Sequence, residues 1–295
     1  MVAAIGVLRM DGPTGANNNL DPQVARGFGR EWSTFRQDPD HLPQTQRQAI
    51  FDDYFHIFPW HLLPADGGVG LDAGCGTGRW SVLVAPRVRH LHLLDPSAEA
   101  LSVAKENLRG LDNVSYHLDS VATIPLPSKS LDFAFSLGVL HHVPDTAAAI
   151  AAIADKLKRN APFLLYLYYA LENRPLWYQL LWRVSDLARF GVSRLPHPLR
   201  WVISQTVAAL MYWPLSRLAR FVVGRGGSVS ALPLAYYADK SFYVMRTDAY
   251  DRFCTRLEKR FRRSDIEQML RRAGFESVTF SSKPPFWCAV GIKSD

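Results

Sequence analysis

Val69-Gly70-Leu71-Asp72-Ala73-Gly74-Cys75-Gly76-Thr77-Gly78 is a short apolar strand that runs into a turn with glycine at alternate positions. Glycine lets the backbone bend sharply and pass close to a ligand before a helix N-terminus, whose free N–H groups attract polar groups. The next strand, Val88–Asp95, ends in a second acid. An acid roughly 20 residues after such a turn holds ribose hydroxyls in dinucleotide-type folds, where ligands sit beyond the carboxyl ends of the strands. Asp72, Asp95, Asp119 and the Leu137–His142 loop all fall on that edge. The spacing G-x-G-x-G is not the G-x-G-x-x-G that accommodates a pyrophosphate, and no G-x-x-x-x-G-K-[ST] occurs, which excludes a P-loop.

Outward from this turn, strands and helices alternate. Residues 43–63 carry Ile50, Phe51, Tyr54, Phe55 and Phe58 on one helical stripe and are expected to form a lid over the turn. Arg79–Ala85 opens a helix. Ser97 caps another, which Gly110 ends. Val114–Leu118, Leu131–Leu137 and Pro162–Tyr168 are further strands, and Asp145 caps an alanine-rich helix to Arg159. Such alternation implies right-handed crossovers and a parallel sheet. Near the C-terminus, Ser264 and Glu267 read as a capping box for a helix that ends at Gly274. Strands at 275–281 and 286–292 lie too close for a crossover and form a hairpin. The fold class is α/β: a doubly wound, mostly parallel, seven-stranded Rossmann-like sheet with a C-terminal antiparallel hairpin and a helical cap insertion. The chain divides into an N-terminal arm (1–42), the sheet domain (43–170 and 256–295) and the insertion (171–255).

The 295 residues are 48% hydrophobic and 21% charged, with mean hydropathy −0.07, an ordinary globular composition. Cys75, Cys254 and Cys288 are far apart, which excludes a disulfide scaffold or cysteine zinc cluster and fits a reducing compartment. No three clustered ligands suggest a metal. Residues 1–8 lack the basic flank of a signal peptide, residues 11–19 read as a flexible arm, and Trp201–Leu215 is too short to span a bilayer. The expected location is cytoplasmic, with peripheral membrane contact as an alternative. The net charge is +7, and residues 174–227 hold eight arginines, no lysine and one acid, Asp186, so this segment carries all of the excess. Four of the eight tryptophans lie there as well.

Val69–Gly78 closely resembles motif I of class I S-adenosylmethionine-dependent methyltransferases. Asp95 in Leu-Leu-Asp-Pro-Ser resembles that family's ribose-binding acid, and His117-Leu118-Asp119-Ser120 its adenine-contacting motif. Ser136-Leu137-Gly138-Val139-Leu140-His141-His142-Val143-Pro144-Asp145 is similar to the family's signature after strand four. The resemblance covers roughly 45–170 and 260–292. It departs from the family at Lys158-Arg159-Asn160-Ala161-Pro162, where Lys-Pro-Gly-Gly is usual. It implies S-adenosylmethionine as cofactor. The backbone of Gly74, Cys75 and Gly76, turning at Gly78, would approach its methionine part. Asp72 and the Leu137 carbonyl would face its amine. Asp95, followed by Pro96, would accept the ribose hydroxyls, and Asp119 with the Ser120 backbone would meet the adenine. These carboxylates suit an amine, a diol and a sulfonium, and would repel a pyrophosphate.

The acceptor is narrowed by what is missing. No [DNS]-P-P-[YFW] follows strand four, and no separate RNA-binding module or lysine-rich tail is present, which disfavours nucleic acid. Candidate bases are His141 and His142, against a purely structural role; Tyr236 and Tyr237 are weaker. Residues 28–32 are expected to pack over the site or to bury an aromatic. In the insertion, two amphipathic helices set arginines on one side and Trp, Leu, Ile and Phe on the other. This suits either a cap whose apolar faces pack together or an interfacial helix pair on an anionic membrane. Both favour an apolar or amphipathic small molecule methylated on O, N or C. The alternatives are an RNA or protein methyltransferase, or a non-catalytic binder of the cofactor. Oligomeric state is left open.

Overall fold

The computed structural model describes residues 19–36, 43–229 and 232–294. Residues 11–18 of the expected arm, and the signal-peptide reading of residues 1–8, lie outside them. Seven strands form one sheet in the order β3-β2-β1-β4-β5-β7-β6. They are β1 (Val69–Ala73), β2 (His90–Asp95), β3 (Val114–Leu118), β4 (Phe133–Leu137), β5 (Pro162–Tyr166), β6 (Phe275–Phe280) and β7 (Cys288–Lys293). The first five are mutually parallel, and β7 inserts antiparallel between β5 and β6. Strand order reverses between β1 and β4, so a crevice opens where both carboxyl ends diverge.

Local chemistry sets the helices. Asp21 Oδ1 accepts from the Gln23 and Val24 N–H groups, and Pro22 is preset for a first turn, so α1 (Pro22–Thr34) starts inside the segment read as an arm. Helix α2 (Gln44–Phe55) is shorter than the expected 43–63. It ends before Pro59, which disfavours helical backbone at the residue before it, and only a single 3-10 turn follows at Trp60–Leu62. After α3 (Ser81–Val84), Ser97 caps α4 (Ala98–Asn107) and Asp145 caps α5 (Thr146–Lys156), as the sequence predicts. The expected Ser264–Glu267 capping box is not formed. Helix α10 (Arg263–Arg272) starts earlier: Asp265 accepts from the Arg262 N–H, and Glu267 pairs with Arg271 instead. The two sheet faces are buried separately. Phe51, Phe55 and Trp80 pack with Phe133 and Phe135 on one side. Ile150, Ile153, Ile266 and Leu270 pack with Phe163 on the other.

Between β5 and α10 lie α6 (Leu176–Val192), α7 (His197–Val207), α8 (Trp213–Gly224) and α9 (Phe242–Cys254). The kink expected at Pro214 is instead a π-helical segment, Ala208–Tyr212, that joins α7 to α8 and leaves Pro214 in the first turn of the next helix, where no N–H is needed. Helices α6 and α7 pack against α9 with their small and polar side. Ser193, Ser204, Ala208, Ser216 and Ala219 are buried, and Arg189 turns inward to bond Asp186 and the Thr255 carbonyl. The apolar residues face outward: Leu176 is 82% exposed and Leu187 75%, with Leu180, Val184, Phe190, Val202 and Leu210 also exposed. The expectation of a cap whose apolar faces cover one another is therefore overturned. Arg189 and Arg200 reach the Thr255 and Cys254 carbonyls at the end of α9, the buried serines donate to carbonyls of their own helices, and α6, α7 and α8 bury those groups instead.

Candidate active site

The strand that begins the glycine turn delivers Asp72 into the interior. Ser81, at the start of α3, donates to its Oδ2 at 2.5 Å. Burial, opposed by that bond and aided by nearby Asp95, pushes the Asp72 carboxyl up to about 7. Asp95 ends β2 and accepts two backbone N–H groups, Ser97 on Oδ1 and Gly76 on Oδ2, each at 2.9 Å. Burial raises its carboxyl to about 6 against those two bonds. Among the described residues, neither acid draws on a cationic side chain. Asp119, just past β3, accepts from the Ser120 N–H at 2.8 Å and from the Thr123 hydroxyl. Leu137 ends β4 beside them, Pro96 follows Asp95, and the Cys75 thiol is buried.

The turn itself tolerates only glycine at two points. Gly74 has φ +83°, and a Cβ there would stand 2.3 Å from Val139 Cγ1. Gly78 has φ +71°, and a Cβ would meet Leu108 Cδ1 at 2.4 Å. The residues read from sequence as cofactor ligands thus converge at the carboxyl ends of β1–β4.

Helix α1 crosses above this edge, where the sequence reading expected the 43–63 helix as a lid and residues 28–32 packed over the site. Gly29 lies so close to α4 that a Cβ would touch Ser97 Oγ at 2.7 Å, and the Trp32 indole covers Gly76. Asn19 exchanges two hydrogen bonds of 2.6 Å with the backbone of Asp145 at one end. At the other, Arg36 pairs with Glu106, and Asn107 donates to the Arg36 and Thr77 carbonyls. Helix α2 instead lies on a face of the sheet.

His141 and His142 are both buried. His141 stacks on Tyr168 with centroids 3.8 Å apart, its two ring nitrogens have no hydrogen-bond partner, and burial lowers its pKa well below the usual histidine value. His142 Nδ1 lies 2.6 Å from the Leu257 carbonyl, which can only accept, so Nδ1 carries the proton and Nε2 is left as the lone-pair nitrogen. That Nε2 is 3.8 Å from Asp251 Oδ1, and Phe28 of α1 covers the ring. Tyr237 donates to Asp248 at 2.8 Å. Burial, then Asp248, raises both Tyr236 and Tyr237, which removes these phenols as bases at neutral pH.

Sequence reading missed three acids here. Glu31 on α1 is buried, with Oε1 unpartnered, and its carboxyl is raised well above the ordinary range by burial and then by Asp251 and Asp248. Asp248 and Asp251 sit on α9 among buried Val244, Met245, Ala249 and Tyr250. Charges on an apolar stripe were the available signal.

Residues 71–165 match the family described as a methyltransferase domain. A methyltransferase of Bacillus subtilis is 30% identical over 105 residues, 35% of this chain and 42% of that protein. A ubiquinone biosynthesis O-methyltransferase of Marinobacter nauticus is 38% identical over 98 residues, 31% of this chain and 40% of that one. This chain thus spans less than half the length of either relative. The magnesium protoporphyrin IX methyltransferase of Synechocystis PCC 6803, solved with S-adenosylhomocysteine bound, superposes with a TM-score of 0.52 at 15% identity, over 92% of this chain and 98% of that one. That likeness concerns the fold. Sheet order, glycine turn and the match over residues 71–165 are those of class I methyltransferase domains, the kind that use S-adenosylmethionine. Among the described residues, no helix is long and apolar enough to cross a membrane.

Proposed function

We propose that this chain transfers a methyl group from S-adenosylmethionine to an apolar or amphipathic small molecule. Two buried carboxylates with no cationic partner, beside a turn that excludes Cβ atoms, fit a ligand bearing an ammonium and a diol. When bound, the cofactor supplies a methyl group on a good leaving group. The chain's residues do the rest. Asp95 accepts from the ribose hydroxyls with the lone pairs its two backbone bonds leave free. Asp72 and the Leu137 carbonyl face the ammonium, and Asp119 and Ser120 the adenine. Gly74, Cys75, Gly76 and Gly78 let the backbone approach, and Pro96 shapes the turn after Asp95. Helix α1 excludes water through Trp32 and Phe28. Holding reactants aligned can lower a barrier by ~7–11 kcal/mol.

His142, more than His141, suits the role of general base. Its Nδ1–H is held by Leu257, its Nε2 is the free acceptor, and Asp251 stands where it would stabilise the imidazolium. His141 is a packing residue on this reading.

The observation that carries the acceptor class is the outward apolar face of α6–α8, with exposed Arg183, Arg194, Arg220 and Arg225 around it. Such a surface matches the interface of an anionic bilayer, where apolar side chains enter the headgroup boundary and each arginine adds ~1 kcal/mol. The acceptor is then drawn from, or dissolved in, that layer. The test incubates the protein with S-adenosylmethionine and either an organic-solvent or an aqueous cell extract, and searches by mass spectrometry for a one-methylene mass gain. The reading requires the product in the organic extract. A product confined to the aqueous extract, or to RNA or protein, overturns it.

A further inference from the structure

A cleft between α1 and the α6–α7 turn is walled by Arg26, Arg30, Arg194, Arg200 and Arg256, and encloses about 260 Å³. Among the described residues, no carboxylate lines it. Among the described residues none of these arginines forms a salt bridge, although the cap elsewhere pairs its arginines closely, as Arg189 with Asp186 and Arg252 with Glu258. Arg26 and Arg30 are one helical turn apart on α1, a like-charge spacing that destabilises a helix. Arg200 is partly satisfied by the Cys254 carbonyl at 3.0 Å, while its Nε is buried without a partner. Arg194 donates to the Phe190 carbonyl at 2.7 Å and stacks on the Phe190 ring. Five arginines lining one recess repel one another unless an anion joins them, and their planar forks match phosphate oxygens in pairs.

We infer that this cleft binds a phosphate monoester or diphosphate, the anionic end of the methyl acceptor. Leu195, which lines the cleft, and Leu199 are among the exposed apolar residues of the outward face, where an apolar tail attached to a phosphate would lie. Inward it leads toward the chemistry. A narrower cavity shares Gln23, Gly27, Arg200 and Arg256 with it and reaches Phe28 and Glu31. Phe28 covers His142, with ring centroids 4.9 Å apart. That cavity holds about 10 Å³, room for a single water and not for an acceptor chain, so an acceptor anchored by phosphate at the cleft would reach His142 only with α1 moved aside. The role as acceptor anchor rests on the proposed methyl transfer; the anion binding does not.

Calorimetric titration of the full chain with inorganic pyrophosphate, with S-adenosylhomocysteine present, tests the site. Saturable binding is expected, weakened roughly tenfold or more by Arg26→Gln with Arg256→Gln, since each lost bond to a charged group is worth about that much. Both side chains are exposed, so the fold should persist, and unchanged S-adenosylhomocysteine affinity in the variant verifies it. Arg183→Gln with Arg220→Gln, outside the cleft, should leave pyrophosphate binding intact. Absence of saturable binding, or equal binding by the cleft variant, overturns the proposal whatever the fate of methyl transfer. Flotation with phosphatidylcholine vesicles carrying phosphatidate separates the two sources. Loss of flotation in the cleft variant identifies a lipid headgroup. Unchanged flotation with lost pyrophosphate binding identifies a soluble phosphate ester. Both support the site.

Discussion

Asp95→Asn isolates the residue on which the cofactor reading depends most. The carboxylate offers one oxygen to the Ser97 N–H and the other to the Gly76 N–H, both at 2.9 Å. An asparagine has one acceptor oxygen, so its NH2 must face a backbone N–H, donor against donor. One buried N–H then loses a charged acceptor, which costs about 1.5–3 kcal/mol of stability in the free protein. The ligand loses more. Of two ribose hydroxyls, one would meet an amide nitrogen that cannot accept, and the other a neutral rather than charged oxygen. Together these are worth about 2–4 kcal/mol, or roughly 30- to 700-fold in affinity. Calorimetric titration with S-adenosylhomocysteine at neutral pH measures this directly, with Asp95→Ala as the variant that removes the acceptors without adding a donor. An asparagine variant that binds within about threefold of the wild type would show that no diol is held there.

Gly78→Ala should lower stability by about 2–4 kcal/mol, from the left-handed backbone and the collision with Leu108, as read from the urea midpoint; an unshifted midpoint contradicts the geometry. His142→Gln should reduce kcat by about 10²–10⁴ while His141→Phe retains activity and folds as well as wild type, because His141 makes no hydrogen bond through its ring; equal losses would return both to a structural role. Affinity for S-adenosylhomocysteine should fall as pH drops from about 8 to about 5, because Asp72 and Asp95 must be ionised to hold an ammonium and a diol. The sign is opposite for the free protein: both carboxyls are raised above their unfolded values, so folding binds protons between about pH 4 and 7, and these groups lose stability as pH rises through that window. Thermal melts with and without ligand across this range measure both trends, and parallel curves would refute the linkage.

The glycine turn, the paired acids and the alternation of strands with helices were legible because local rules act there. A short apolar strand, a turn that only glycine can make and caps such as Ser97 and Asp145 are each decided within a few residues. Helix α1 was missed although Asp21-Pro22 is a strong start signal, because its stripe is interrupted by Gly27 and Gly29, and Gly29 is used for close packing on α4. The inward arginines of the insertion were not legible at all. Periodicity reveals two faces of a helix, but which face turns inward depends on what awaits it. Here Asp186 together with the Thr255 and Arg256 carbonyls receives Arg189. For the same reason residues 28–32 were expected over the site, but the burial of the Glu31 carboxyl among them was not.

On the proposed membrane contact, the outward apolar wall of α6–α8 also changes what the acceptor pocket has to accomplish. An enzyme that meets its substrate in bulk water must gather it by affinity alone. One resting on the layer in which the substrate is dissolved searches in two dimensions, at an effective concentration far above the aqueous one. Tight recognition is then unnecessary, and a pocket that grips only the charged end of the molecule is sufficient. Selectivity among tails passes to whatever partitions into the layer, so molecules with one head and many tail lengths would all be substrates.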